Sequence, residues 1–147
     1  MSISYRQTLE DVDWEAMKAI LQTDDFDNGR TPAQLATSFA NSAGTCIVYA
    51  DEQIIGTARV LSDGVCNAYV VDVWTLSSYR NQGIGRRMLD LLLADLQGQH
   101  VYLFTDDMVE FYQRVGFVQR GTGMERVVGE WLVNQPDRGH REQGIDE

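Results

Sequence analysis

The stretch "DVWTLSSYRNQGIGRRM", residues 72–88, passes from an apolar strand-like segment through a glycine turn into residues with helical spacing. Ile84, Met88, Leu91, Leu92 and Leu96 follow the helical period, and Gly98 stops it. "HVYLFT", residues 100–105, then reads as a buried strand, so strand, helix and strand form a crossover unit around the turn. Where a helix opens, free backbone N–H groups and the helix dipole converge, which makes the place suited to phosphate. Gly83 and Gly85 let the backbone approach an anion, and Arg80, Arg86 and Arg87 add positive charge in a chain whose formal net charge is −10. The expectation is a pyrophosphate cradle. Its bland competitor is a solvated arginine face on a tight turn.

Upstream, "GTCIVYADEQIIGTARVLSDGVCNAYVVDVW", residues 44–74, divides into three strands at turns over 50–53 and 62–64. Turns that short imply an antiparallel meander. Two helices are expected before it, with no earlier strand. Thr8 heads the first, whose apolar stripe is Val12, Ala16, Met17, Ile20 and Leu21. Thr31 caps the second, with Pro32 at its first position, Gln34 completing a capping box, and Leu35 and Phe39 on one face. Downstream, Met108, Phe111, Tyr112 and Val115 mark a last helix ending at Gly116. "MERVVGEWLV", residues 124–133, promises one or two further strands, and residues 136–147 are a polar, frayed tail.

A chain of 147 residues is one domain of ordinary size, and 44% hydrophobic with 23% charged residues excludes disordered and fibrous classes. The negative net charge argues against nucleic acid, whose phosphates need a basic footprint. No apolar run approaches the ~20 residues of a membrane helix, and "MSISYRQTLED" lacks the apolar core of a signal peptide, so a cytoplasmic protein without membrane attachment is expected. Cys46 and Cys66 stand alone, with no CxxC pair or histidine cluster for a metal, and read as buried reduced thiols. Arginine supplies eleven of the twelve basic residues, which suits forked hydrogen bonding better than general solubility.

A nicotinamide fingerprint needs GxGxxG directly after a strand; Met88 stands where the third glycine belongs, and "SSYRNQ" separates strand from turn. A Walker loop is excluded, since no Gly-Lys-Ser/Thr occurs. Arg80, Gly83 and Gly85 instead meet the Arg/Gln-x-x-Gly-x-Gly/Ala turn of the GNAT superfamily of acetyl-CoA-dependent N-acetyltransferases, with Ser77 where that family has proline. "FYQRVGF", residues 111–117, resembles the second signature of the same family, and the order of elements is similar over about residues 3–133.

That resemblance implies an α/β (α+β) GNAT fold: a mixed, mostly antiparallel sheet of six to seven strands, four helices, a splayed central strand pair, and one domain over residues 1–135. It implies that backbone groups of Val73, Trp74 and Thr75 hold the pantetheine arm of acetyl-CoA. It implies that the turn Arg80, Asn81, Gln82, Gly83, Ile84, Gly85 and Arg86 holds the pyrophosphate. A main-chain N–H of Val73 or Trp74 would face the thioester oxygen. Tyr112 matches the tyrosine near the CoA sulfur and becomes the general acid, with a core aromatic as the alternative. Thr105 occupies the place of a family asparagine that contacts pantetheine.

Asp72, the one charged residue of an otherwise apolar strand, is the leading candidate for general base, against a structural carboxylate. Period-two alternation sets it on the face of Val70 and Trp74. Asp107 and Glu110 have the spacing of a capping box. The implied activity is acetyl transfer to a primary amine of a small molecule or peptide by direct attack in a ternary complex, without metal and without a cysteine nucleophile. The acidic surface leans toward a cationic acceptor. A homodimer is a family-level expectation. A catalytically silent CoA-binding sensor and a nicotinamide-binding fragment stay open as competitors.

Overall fold

Thr31 and Gln34 exchange reciprocal bonds, the Gln34 amide donating to the Thr31 hydroxyl at 3.1 Å and the Thr31 amide to the Gln34 side chain at 2.9 Å. This capping box starts helix α2 (Pro32–Ala40) as its spacing dictates. Thr31→Ala is expected to lower the free energy of unfolding by about 1 kcal/mol in a urea titration.

The computed structural model describes residues 2–132. Ahead of α2 lie β1 (Ile3–Arg6) and α1 (Trp14–Thr23), and after it come β2 (Gly44–Ala50), β3 (Gln53–Ser62) and β4 (Asn67–Thr75). A 3-10 turn (Ser77–Tyr79), α3 (Ile84–Leu93), β5 (His100–Tyr102) and α4 (Val109–Arg114) complete the order. The strands form one sheet in the order β1-β2-β3-β4-β5, antiparallel except for the parallel β4–β5 pair that the α3 crossover requires.

β2 alternates between two cores. Ile47 and Tyr49 pack with Met17, Leu21, Leu35 and Phe39 of α1 and α2. Cys46, Val48 and Ala50 pack with Ile84, Met88 and Leu92 of α3. Helices therefore cover both faces, and the central strands read as nearly continuous apolar runs. A third cluster, Val60, Ala68, Val70, Leu89 and Leu96, receives Phe111 and Tyr112 from α4 and Val115 from just beyond its end.

Several expectations are corrected. A strand, β1, precedes the helices, and α1 begins at Trp14 with the Asp13 carboxylate accepting from the Ala16 amide, so Thr8 lies outside it. α3 closes at Leu93, short of Gly98. Cys66 is exposed, whereas Cys46 is buried. The sheet has five strands among the described residues, not six or seven. Residues 117–132 form none: Gly121 and Gly129 take left-handed φ of 60° and 74°, which breaks an extended pleat, and Met124 and Val128 remain exposed. The expected tail over 136–147 lies outside the described residues.

Candidate active site

β4 and β5 pair only from Asn67 opposite His100 to Tyr69 opposite Tyr102. β5 then ends while β4 runs on to Thr75, hydrogen-bonded to β3 alone. Among the described residues, the backbone groups of Val70–Thr75 that point away from β3 meet no strand, and a wedge opens along that side of β4. Val73, Trp74 and Thr75 lie on it.

A bulge sits at the mouth of the wedge. Arg59 is opposite Val71 and Thr57 opposite Trp74, so Asp72 and Val73 together face the single residue Ala58. Asp72 takes φ of 57°, a left-handed conformation uncommon for a residue with a side chain. The extra residue inverts the alternation. Val70 packs against Leu89 below α3, while Trp74, on the other face, joins Phe39 and Met17 under α1 and α2. The expected shared face of Val70 and Trp74 is thus overturned, because an alternation rule holds only while both strands advance in step.

Asp72 turns its carboxylate into a pair of arginines. Arg30 reaches both oxygens at 3.0 Å, and the Arg59 Nε donates to Oδ2 at 2.6 Å. Thr57 donates its hydroxyl to the Asp72 carbonyl at 3.0 Å. Burial pushes the carboxyl pKa up, but the charges and hydrogen bonds of Arg30 and Arg59 outweigh it and hold the group below the ordinary carboxylate range. A carboxylate so stabilised is a poor proton acceptor near neutral pH, so this setting does not suit the general base expected of Asp72.

The strand end is tied as firmly. Asp24 at the end of α1 accepts from the Trp74 indole at 2.8 Å and from the Ser77 amide at 3.1 Å. Arg80 donates its Nε to the Thr75 carbonyl at 3.0 Å and lies 3.6 Å from Asp24. From there the chain turns on two left-handed residues, Asn81 (φ 64°) and Gly83 (φ 82°), and α3 begins. Arg87 is the first residue whose amide finds a helical carbonyl, that of Gly83 at 3.0 Å, so the amides of Ile84, Gly85 and Arg86 are left to a ligand or solvent.

The two glycines differ in purpose. At Gly83 a Cβ would meet nothing within 4 Å, and the positive φ is what calls for glycine. At Gly85 a Cβ would stand 3.2 Å from the Phe111 ring and 3.8 Å from the Thr75 hydroxyl, so glycine there lets α4 and the strand end close onto the turn.

The arginine side chains do not gather around this turn as expected. Arg80 is engaged by Thr75 and Asp24, and Arg86 forms an exposed i,i+4 pair with Asp90 at 3.6 Å. Burial raises the pKa of Tyr5 and of Cys46, and the charge of nearby Arg87 offsets only part of that rise. The turn presents chiefly backbone N–H groups, with guanidinium groups at its rim.

Tyr112 lies on α4, packed against the cluster of Val60, Val70 and Leu89. Its ring meets Phe111 at 5.0 Å and Phe117 at 5.9 Å between centroids, and burial pushes its hydroxyl up to about 12. Thr105, just before α4, accepts the Met108 amide at 3.0 Å. Asp107 and Glu110 therefore form no capping box: α4 starts at Val109 with Met108 in the cap position, one residue later than their spacing assumes. Among the described residues no group of three or more His, Cys, Asp or Glu is placed to hold a metal ion. Among the described residues no helix is long and apolar enough to cross a membrane.

Residues 7–117, which carry the wedge, the glycine turn and the closing α4, match the acetyltransferase (GNAT) family. The chain belongs to that family. A Glycine max protein named as a histone acetyltransferase is 36% identical over 87 residues, covering 56% of this chain and 37% of the relative. A chloroplastic serotonin N-acetyltransferase of Oryza sativa is 34% identical over 87 residues, covering 56% of this chain and 40% of that one. This GNAT chain spans less than half the length of these curated relatives. A putative acetyltransferase from Xanthomonas campestris superposes with TM-score 0.75 at 25% identity, over 91% of this chain and 97% of that one. One from Deinococcus radiodurans gives 0.75 at 26%, over 90% and 91%.

The sequence offers the aspartates and the arginine of residues 21–31 only as a lining for an acceptor mouth, and it does not foretell the pairing of Asp24, Arg30, Arg59 and Thr57 with β4. Nothing local separates a buried, paired arginine from a surface one.

Proposed function

We propose that this acetyltransferase moves an acetyl group from acetyl-CoA to a primary amine by direct attack within a ternary complex. What supports the reading is a run of backbone features: strand backbone of β4 beyond the end of β5, then helical amides at residues 84–86 without a helical carbonyl, with α4, which carries Tyr112, packed beside the turn through Phe111. Its chemistry fits acetyl-CoA, whose pantetheine is an extended chain of amides and whose pyrophosphate is a dianion. When bound, that molecule supplies the activated thioester.

In this proposal the backbone of Val73, Trp74 and Thr75 orients the extended arm. The turn Asn81, Gln82, Gly83, Ile84, Gly85 and Arg86 receives the pyrophosphate through main-chain N–H groups, and Arg80 keeps the strand end in place beside it. The Val73 or Trp74 N–H stabilises negative charge growing on the thioester oxygen. As the amine nitrogen bonds to the acetyl carbon, the carbon–sulfur bond breaks, and Tyr112 donates its hydroxyl proton to the departing sulfur. Asp72 acts through the bulge as an organiser; the acceptor ammonium first loses a proton to solvent so that its nitrogen can attack, and the proton that the nitrogen sheds on forming the amide restores the Tyr112 hydroxyl. The net charge of −10 favours a cationic acceptor, and the relatives' names, a histone and a serotonin acetyltransferase, both point to amine acceptors.

Calorimetry tests this directly. Wild type is expected to bind acetyl-CoA and not NADH. Arg80→Ala and Gly83→Ala each lose about tenfold or more in affinity, the scale of one charge-assisted hydrogen bond. Absence of acetyl-CoA binding at millimolar ligand would overturn the reading.

A further inference from the structure

The loop between α1 and α2, residues 24–30, is tied down at three places. At its start the Asp24 carboxylate takes the Trp74 indole, the Ser77 amide and the Arg80 guanidinium. At its middle Asp27 pairs with Lys18 of α1 at 2.6 Å, both side chains nearly buried. At its end Arg30 spans both oxygens of Asp72 and donates its Nε to Asn28 at 2.8 Å. The last tie lands on Asp72, just before Val73–Thr75, and the first lands on Trp74 within that segment and on Ser77 beyond it.

Helix α1 ends on the Asp24 backbone amide, which reaches the Ile20 and Leu21 carbonyls, and α2 starts on its own Thr31 capping box, so closing the loop between them requires neither of these side-chain ties. Each takes a charged group out of water, which is unfavourable unless the geometry is held closely. What they hold is the strand: the left-handed bulge at one end of the segment and the entry to the glycine turn at the other. A backbone amide aims at a reacting atom only if its flanking torsions are held, since a shift of about 1 Å in placement costs on the order of a hundredfold in rate.

We propose that residues 24–30 form a bracket that positions the reacting strand, with Asp24 and Arg30 as its two positioning residues. Asp24 sets the strand end and, through Ser77 and Arg80, the turn that receives pyrophosphate. Arg30 sets the bulge and so the direction of the Val73 N–H. This rests on the acetyltransferase reading above and adds a division of labour to it: one end of the bracket governs the grip on CoA, the other governs recognition of the acetyl group.

The test uses the full chain with acetyl-CoA and free CoA as two calorimetric probes, at a temperature where melting curves show every variant folded. Asp24→Asn is expected to weaken acetyl-CoA and CoA equally, by about tenfold. Arg30→Lys is expected to leave CoA near its wild-type affinity while lowering acetyl-CoA about threefold to tenfold, one neutral hydrogen bond's worth. Asn28→Ala, which only frees the Arg30 Nε, gives a weaker form of the Arg30→Lys pattern and serves if that variant does not fold. A merely structural loop would lower the melting temperature and leave both affinities and their ratio unchanged, and that result overturns the bracket alone. Failure of wild type to bind either probe overturns the acetyltransferase reading as well.

Discussion

Asp72→Asn is expected to lose about 3–5 kcal/mol of folding stability, the cost of leaving buried charge without its partner. Arg30 and Arg59 have side chains only 9% and 11% exposed, so removing the single carboxylate between them strands two desolvated guanidinium groups. Asparagine matches the shape and tolerates the left-handed backbone at this bulge, so the loss reports the charge rather than strain.

The pH dependence identifies the same group. Because the Asp72 pKa is lowered from 3.8, the folded chain binds fewer protons than the unfolded one in that range, and stability rises with pH through it. The contribution is complete above about pH 4 and is lost as pH falls below it. In urea titrations between about pH 3 and pH 7, the gap between wild type and Asp72→Asn should narrow at the acid end. A gap that stays constant would show that the carboxylate charge is not what holds the bulge.

Tyr112→Phe is expected to lower kcat about a hundredfold, the lower end of what a positioned general acid contributes. The KM for acetyl-CoA should move little, since the ring contacts with Phe111 and Phe117 survive. With its pKa raised to about 12, the hydroxyl stays protonated throughout the usual assay range, so it imposes no alkaline loss of kcat there. The raised value also carries a stability signature: the folded chain keeps a proton that the unfolded chain releases above its ordinary value of 10, so stability falls as pH rises from 10 toward about 12. The phenylalanine variant lacks that term. Unchanged kcat in a variant that still binds acetyl-CoA would return Tyr112 to the role of core aromatic.

What the sequence determined on its own is what depends on near neighbours. The α2 capping box, the two short turns of the meander and the apolar stripe of α3 each lie within a few residues, and each survives in the fold. The two signatures identified the family because each is a short string with a backbone reason behind it.

Short-range rules also had short-range failures. β1 is only four residues long and half exposed, so it carries no periodic signal, and both Thr8 and Asp13 are competent caps, between which the local sequence does not choose. Only the tertiary structure decided the rest. The bulge that inverts Asp72 exists because β3 advances two residues while β4 advances three, which requires both strands. Arg30 finds Asp72 across 42 residues, and Trp74 finds Asp24 across 50. Gly85 owes its missing side chain to Phe111, which α4 delivers from the far end of a crossover. Partners at such separations are chosen by topology, and a charge or a glycine acquires its role only when the sheet has brought its partner within reach.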